Sequence, residues 1–183
     1  MDDILQAVGH EFSDIADARQ AVLVSVRLLV AVLLGGVLGY ERELRGAPAG
    51  LRTHMLVALG SALFVLVPEQ AGVSPADLTR VLQGVVSGIG FLGAGAILKL
   101  DHERNVQGLT TAASIWATAA IGIAAGLGRE LTATLATVLA LVILTVLRWF
   151  EQRRGASEEA ALTPPAEART ASPPAAHTGR PPR

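Results

Sequence analysis

The chain has 183 residues and a formal net charge of −1; 51% of its residues are hydrophobic, only 17% are charged, and none is cysteine. A near-neutral chain has no overall electrostatic attraction to nucleic acid, so nucleic acid is not an expected partner. The lack of cysteine in this sequence excludes disulfides, thiolate metal sites and a cysteine nucleophile. Its charges cluster between apolar runs, as is typical of a membrane protein.

Five apolar runs approach the length of about 20 residues that a helix needs to cross a bilayer. They cover residues 22–40, 51–67, 81–98, 109–127 and 131–150. The short connectors between them leave no amphipathic layer that could cover these runs in a soluble protein. The sequence therefore predicts an all-α fold, a polytopic transmembrane bundle of about five spans that is surrounded by the lipid bilayer.

The segments that flank this predicted membrane domain, residues 21–151, have a different composition. Residues 1–20 are acidic where an export signal has a basic start, so they predict a short extracytoplasmic segment. Residues 152–183 are rich in proline and alanine. Because such a composition buries too little apolar surface to fold, we expect a disordered cytoplasmic tail.

The distribution of basic residues predicts the orientation. With the N-terminus outside, the cytoplasmic segments hold eight lysine and arginine residues and the external segments hold three. The positive-inside rule then places the N-terminus outside and the C-terminus in the cytoplasm. Arg27 lies near the outer end of the first span. It either extends to the membrane surface or stays in the bundle as a buried cation.

A shift of 58 residues aligns two parts of the chain. Leu-Gly at 34–35 then matches Leu-Gly at 92–93, and GLRT at 50–53 matches GLTT at 108–111. The first two spans would thus correspond to the third and fourth, and repeats of two spans share one orientation. The pattern predicts two parallel two-helix repeats plus a fifth helix, with both GLxT elements opening helices at the cytoplasmic face.

The third span contains SGIGFLGAG at residues 87–95, which includes the spelling GxGxxG. That fingerprint binds a dinucleotide only between a strand and a helix, and here it lies inside an apolar run. We expect its glycines to let another helix approach closely, opposite the glycine-bearing first span. A bent helix that exposes carbonyl groups near the midplane is the alternative. The predicted packing residues are Gly84, Gly88, Gly90, Gly93 and Gly95.

The first cytoplasmic loop, YERELRGAPAGLRTH, is the densest polar segment of the membrane domain. Its side chains are Glu41, Arg42, Glu43, Arg45, Arg52, Thr53 and His54. One interpretation is a loop whose opposite charges pair among themselves. In the other, the acidic pair holds a cation or the arginines hold an anion. Arg52 and Thr53 at a helix start suit a phosphate or carboxylate, whereas a lone His54 is a weak metal candidate.

The fourth span opens with three hydroxyl side chains, Thr110, Thr111 and Ser114. They either bond back to carbonyl groups of their own helix or line a polar path. A Mg²⁺ pathway normally uses an intramembrane carboxylate, and no predicted span has one well inside it; backbone carbonyls are the alternative ligands. The sequence contains no nucleophile–base pair, P-loop or zinc spacing, so it predicts neither catalytic residues nor an enzyme.

Three blocks of this sequence resemble the membrane domain of the MgtC/SapB family over about residues 22–150. They are LLGGVLGYERELRGAPAGLRTHMLVALGSALFVL, VVSGIGFLGAGAIL and VQGLTTAASIWATAAIGIAAGLG. The positions that match the family pattern are Glu41, Arg42, Gly50, Leu51, Arg52, Thr53, Gly88, Gly90, Phe91, Gly93, Gly95, Gly108, Leu109, Thr110, Thr111 and Trp116. The resemblance implies a small bacterial inner-membrane protein linked to magnesium homeostasis, growth in low Mg²⁺ and virulence, from a family historically labelled as magnesium transporters.

The resemblance implies two alternatives for function. The first is a regulator that contacts another membrane complex, such as an F-type ATP synthase or a cation transporter. The second is a transporter of Mg²⁺ or another cation, with a path between the two helix repeats. No cofactor is expected, a Mg²⁺ site has no ligand cluster to support it, and a homo-oligomer is a further alternative. Many relatives carry a folded C-terminal domain; here a proline-rich tail stands in its place, so regulation through such a domain is not expected.

Overall fold

The computed structural model describes residues 17–98 and 108–147, together with Ile4. All regular structure in this part of the chain is helical, which confirms the predicted all-α fold. The five α-helices are α1 (Ala18–Leu44), α2 (Leu51–Gln70), α3 (Pro75–Leu98), α4 (Leu109–Gly126) and α5 (Glu130–Val142). A separate unit begins at Ile143, and its described part, Ile143–Leu147, is a π-helix.

Four of these helices, α1 to α4, are long and apolar enough to cross a membrane. They agree with the first four predicted spans. The fifth predicted span is represented by α5, which has 13 residues, and by the π-helix that follows it; residues 148–150 of that prediction lie outside the described residues. So do the C-terminal tail, the segment 99–107 and the N-terminal residues before Asp17 other than Ile4.

Three helices end in the same glycine-terminated cap. Gly46, Gly72 and Gly128 follow α1, α2 and α4 with φ angles of 67°, 71° and 68°, a left-handed conformation that glycine adopts without a steric penalty. After α1, the amide of Gly46 donates to the carbonyl of Glu43, and the amide of Ala47 donates to that of Arg42, both at 3.0 Å. This Schellman pattern satisfies carbonyls that a helix end otherwise leaves free.

The starts of α2 and α4 lie 58 residues apart, the offset of the predicted repeat. Each helix follows a glycine N-cap, Gly50 or Gly108, that offers no side-chain hydrogen bond. The positions of the helix starts thus agree with two copies of a two-helix unit. They also place the polar residues of both GLxT elements in the first turn of a helix.

Helix α4 is the centre of the bundle, because it contacts each of the other four α-helices. Of its most apolar 18-residue window, 56% is buried, compared with 6% for α3. Helix α1 packs on α2, α4 and α5, whereas α3 packs only on α2 and α4 within the described chain. The core is therefore formed by α1, α2 and α4, and α3 lies at its edge.

Close helix contacts in this core depend on glycines of α1 and α4. A Cβ atom added at Gly35 would lie 2.7 Å from the His54 carbonyl oxygen, and one added at Gly126 would lie 2.6 Å from the Ala62 carbonyl oxygen. Real Cβ atoms do not approach so closely, so these positions require glycine for helix packing. Both contacts are made with α2.

The predicted close packing of the α3 glycines against α1 is wrong within the described chain. Helices α1 and α3 share no contact there. A Cβ added at Gly84, Gly88, Gly90 or Gly95 would meet no atom within 4 Å, and only Gly93 has a neighbour, the Ala112 Cβ at 3.6 Å. The reason is that α4 lies in the centre and keeps the two glycine-bearing helices apart.

Arg27 joins three helices at the end of the bundle where α2 and α4 terminate. Its guanidinium forms an ion pair with Glu69 at 2.7 Å and donates to the Gly126 carbonyl at 3.2 Å. That carbonyl is among the last four of α4, which have no partner within the helix. The side chain therefore combines features of both predicted alternatives. It is 23% exposed, and it is paired with Glu69 within the bundle.

Candidate functional site

The polar residues of the first loop and of the α4 start meet at one end of the bundle. We call this group the polar end cluster: Glu41, Arg42, Arg45, His54, Thr111 and Ser114. It lies where α1 ends and where α2 and α4 begin, so the two GLxT elements are neighbours in space, as the repeat predicts. Most of the cluster is buried.

Glu41 is the acceptor for two arginines. The Arg42 Nε lies 2.6 Å from one carboxylate oxygen, and the Arg45 Nε lies 3.3 Å from the other. The side chains of Glu41 and Arg42 are 11% and 6% exposed, whereas that of Arg45 is 40% exposed. Both oxygens are thus engaged by the protein's own cations. The geometry favours the interpretation in which the loop's opposite charges pair among themselves over cation binding by Glu41.

Glu43 occupies the start of α2. Its carboxylate accepts a hydrogen bond from the Leu51 amide at 2.9 Å, and a Cβ added at Gly50 would lie 2.8 Å from the same oxygen. A carboxylate at a helix N-terminus is stabilised by the free amides and by the helix dipole. In one of the interpretations of the loop an anion binds at this helix start, and here a carboxylate of the same chain occupies that position.

His54 is the member of the cluster whose role sequence reasoning missed. Its side chain is fully buried, and its two ring nitrogens lie 2.9 Å from the Gly50 carbonyl and 3.2 Å from the Ser114 hydroxyl. The second contact joins α2 to α4 across 60 residues of sequence. The predicted repeat was the available signal for this contact. It places the starts of α2 and α4 at the same face of the membrane, so residues one turn into each helix can contact each other.

The partners of His54 fix its tautomer. A carbonyl oxygen only accepts hydrogen bonds, so the ring nitrogen that faces Gly50 must carry a proton. In the neutral ring the other nitrogen then accepts from the Ser114 hydroxyl. That hydroxyl also lies 2.8 Å from the Thr111 carbonyl and donates there whenever it does not donate to His54. The imidazole is therefore an internal link between helices, with no ring nitrogen left for a metal ion.

The hydroxyl side chains near the α2–α4 contact bond back to their own helix. Thr118 donates to the Ser114 carbonyl at 2.8 Å. The Ser114 hydroxyl lies 2.8 Å from the Thr111 carbonyl and donates there when it does not donate to His54. For Ser114 this is the first of the two predicted alternatives, although the same hydroxyl also contacts His54. Thr111 is buried beside it, whereas Thr110 is exposed and no hydrogen bond of its hydroxyl is seen in the described part of the chain.

The remaining predicted site residues, Arg52 and Thr53, are exposed on the first turn of α2. Thr53 lines a pocket of about 280 Å³ that also borders Pro48, Phe91 and Gly95. No group of three or more histidine or acidic side chains that could hold a metal occurs among residues 17–98 and 108–147. The predicted residues therefore divide into a buried, internally paired set and an exposed set that lies above it.

The sequence of this membrane bundle matches the MgtC family over residues 28–153. The chain belongs to the MgtC family. Its relatives include the protein SrpB of Synechococcus elongatus, which is 47% identical over 132 residues. The protein MgtC of Salmonella typhimurium LT2 is 45% identical over 128 residues. Together with the four long apolar helices, this membership identifies a membrane protein, as the sequence blocks predicted.

A third relative is the Escherichia coli K12 protein that is named "Putative magnesium transporter YhiD", with 42% identity over 131 residues. These alignments cover 66% to 70% of this chain. They cover 72% of SrpB, 59% of YhiD and 54% of the Salmonella MgtC protein. The chain thus spans little more than half the length of two of these relatives. No solved structure matches it significantly.

Proposed function

We propose that this MgtC-family protein serves magnesium homeostasis by regulating another membrane complex rather than by catalysis. The observation that supports this most is the close backbone contact between the two repeats, where a cation path would otherwise run. Adaptation to low Mg²⁺ and virulence are the settings that the family implies. No cofactor is part of the proposal.

The contact between the repeats is closed by backbone packing. A Cβ added at Gly122 would lie 2.9 Å from the Ala58 Cα, and one added at Gly126 would lie 2.8 Å from the Ala62 Cα. Thr118, at the same interface, is fully buried and bonded to its own helix. Because backbone meets backbone and the hydroxyls are satisfied, this arrangement favours a rigid scaffold over a hydrated path.

The exposed side chains at this end of the bundle form the proposed working surface. Arg45 and Arg52 offer cations there, and Thr53 lies beside a pocket that reaches α3. The buried Glu41–Arg42 ion pair beneath them holds the loop in one conformation, which a docking surface needs. A membrane complex with acidic cytoplasmic loops, such as an F-type ATP synthase or a cation transporter, is the proposed partner.

Transport is the alternative function, and the name of the relative YhiD favours it. In that case Mg²⁺ or another cation would pass between the repeats, close to Ser114 and Thr118. The helices would have to separate for each passage. Backbone carbonyls exposed by that separation would serve as ligands in place of carboxylates.

Flux of Mg²⁺ into liposomes that contain only this protein separates the two functions. We expect no gradient-driven uptake above that of protein-free liposomes. Transport between the repeats would be established instead if two results were found together. Thr118→Val would reduce the uptake at least tenfold, and the exposed α5 variant Thr134→Val would leave it unchanged. Both threonines donate to a carbonyl of their own helix at 2.8 Å, which makes the two variants a matched pair.

We further propose that the protein resides in the bacterial inner membrane with its C-terminus in the cytoplasm. The excess of basic residues in the proposed cytoplasmic segments, eight against three, supports this orientation. A reporter enzyme that is active only in the cytoplasm, fused after Arg154, should therefore be active. The same reporter inserted after Gly72, between α2 and α3, should be inactive, and the reverse pattern would contradict the orientation.

A further inference from the structure

Helix α3 presents one face that nothing in the described chain covers. Gly84, Gly88, Phe91 and Gly95 follow one another at intervals of four, three and four residues. This spacing places them on one side of an α-helix, and we call them the α3 seam. Phe91 is 81% exposed, and the three glycines have open space where a Cβ would lie.

The seam borders two cavities. Gly84 and Gly88 line a groove of about 570 Å³ between α2 and α3, and Phe91 and Gly95 line the pocket of about 280 Å³ near Thr53. The residues Leu56 and Phe64 on the opposite wall of the groove are 67% and 61% exposed. The apolar surface is therefore continuous from α2 across the seam.

Exposed apolar surface alone does not drive association in a bilayer, because lipid chains solvate it equally well. Glycine inside a helix, however, is less favourable than alanine, because it loses more backbone freedom. In the core this cost is offset by close packing at Gly35 and Gly126, but at the seam nothing in the described chain offsets it. Close approach of another helix backbone to the seam would offset it.

A polar group in the groove gives a second, independent indication. Ser61 lines the groove and is 2% exposed, and its hydroxyl forms no hydrogen bond with another described residue. Most other hydroxyls of the core bond back to their own helix, as Ser114 and Thr118 do. A hydroxyl inside a membrane protein that lacks such a bond calls for a partner that enters the groove.

We propose that the α3 seam is the interface of a parallel homodimer with its two-fold axis along the membrane normal. A two-fold axis of this kind brings each seam residue opposite its own copy at the same depth. Glycine then faces glycine, which permits the backbones to approach. Phe91 faces Phe91 between Gly88 and Gly95, where the missing side chains leave room for offset stacking of the rings.

The second copy also supplies a hydrogen-bond acceptor for the Ser61 hydroxyl. Gly84 lies on the same groove, and a Cβ added there would meet no atom within 4 Å, so its backbone is open to a second copy. A helical carbonyl keeps a second lone pair, so the Ser61 hydroxyl of one copy donates to the exposed α3 backbone of the other. The symmetry produces this bond twice.

Exposed side chains of α2 and α3 supply part of the area that a dimer needs. At about 200 Å² for a phenylalanine side chain, Phe64 and Phe91 together expose roughly 280 Å². That is about a third of the ~800 Å² that each partner buries in a standard interface. Leu56, Leu92 and the glycine backbone along the seam add to this area. These residues are the apolar surface that a second copy would cover.

Energy transfer between labelled copies of the full chain tests this proposal in liposomes at increasing lipid-to-protein ratios. The sequence has no cysteine, so one label site is introduced in the tail by Ser172→Cys. We expect transfer above the level of random proximity. Gly84→Leu and Gly88→Leu should each raise the dissociation constant at least tenfold, and Ser61→Ala should raise it about threefold.

Gly90→Leu is the matched control, because it adds the same side chain to the same helix on a different face. A Cβ added at any of these three glycines meets no atom within 4 Å, so all three variants should fold as the parent does. Circular dichroism and thermal unfolding check this. The proposal is overturned if the parent chain shows no transfer above random proximity. It is also overturned if the seam variants retain transfer, or if Gly90→Leu abolishes it equally.

Discussion

Replacement of Gly122 by valine is expected to prevent stable folding of the bundle. Gly122 lies in α4 against the backbone of Ala58 in α2, and an added Cβ would lie 2.9 Å from the Ala58 Cα and 3.0 Å from its carbonyl carbon. Backbone atoms cannot rotate away as a side chain can. Overpacking in a dense core costs about 1–3 kcal/mol, and we expect at least ~3 kcal/mol here because two helices must separate.

The measurement is unfolding of the full chain in mixed micelles as the fraction of denaturing detergent rises, followed by helix content and protease resistance. Gly90→Val is the control, since α3 provides an equally apolar helix but open space around that glycine. The free energy of unfolding of this variant should lie within about 1 kcal/mol of that of the parent chain. Equal losses for the two variants would show that the α2–α4 contact is less tight than described.

Replacement of Glu41 by alanine is expected to have the second largest effect on stability. It removes the carboxylate that lies 2.6 Å from the Arg42 Nε and leaves a guanidinium that is 6% exposed without its anion. Removal of one partner from a buried ion pair costs about 3–5 kcal/mol, because the remaining charge stays desolvated. The same unfolding titration measures the loss.

Two further variants separate the charge effect from a general defect of the loop. Arg45→Ala removes the more distant cation, which is 40% exposed and 3.3 Å from Glu41, so we expect a loss of at most ~1 kcal/mol. The double replacement of Glu41 and Arg42 by methionine should recover part of the loss, since no buried charge remains. If Glu41→Ala left stability unchanged, the pair would contribute nothing to the fold.

The helices could be predicted from sequence because their signal is local. Each of the first four apolar runs became a helix near its predicted bounds, and the glycine N-caps of α2 and α4 were visible as GLxT. The end of the fifth run lacked such a signal, since no glycine or proline stands between Leu131 and Phe150. The structure ends α5 at Val142 and changes to a π-helix.

The wrong prediction for the α3 glycines has a physical cause. In a soluble helix the polar face identifies the side that meets water, but in an apolar membrane helix both lipid and protein contact apolar residues. Sequence patterns therefore cannot tell Gly88, which has open space around it, from Gly126, which lies against α2. The two cases can be distinguished only when it is known which helices pack together, with α4 in the centre.

The polar end cluster was predictable in its membership but not in its connections. Glu41 and Arg42 are adjacent in sequence, so their pairing is the simplest interpretation of the loop. The partner of His54 is Ser114, 60 residues further along the chain, and no spacing rule links them. Glu43 was expected either to pair with the arginines of the loop or to help hold a cation, whereas the structure places its carboxylate on the Leu51 amide.

The central position of α4 has a consequence for how the protein is made. A ribosome delivers the chain from its N-terminus, so α1 and α2 enter the membrane while α4 is still being synthesised. Until α4 arrives, the ring nitrogen of His54 that will meet Ser114 and the surface of α2 that will meet Gly122 have no partner in the chain. Helix α3 is inserted in that interval and, apart from its contacts with α2, must wait for the helix that follows it. The bundle therefore closes late, and the buried contact between His54 and Ser114 is among the last to form.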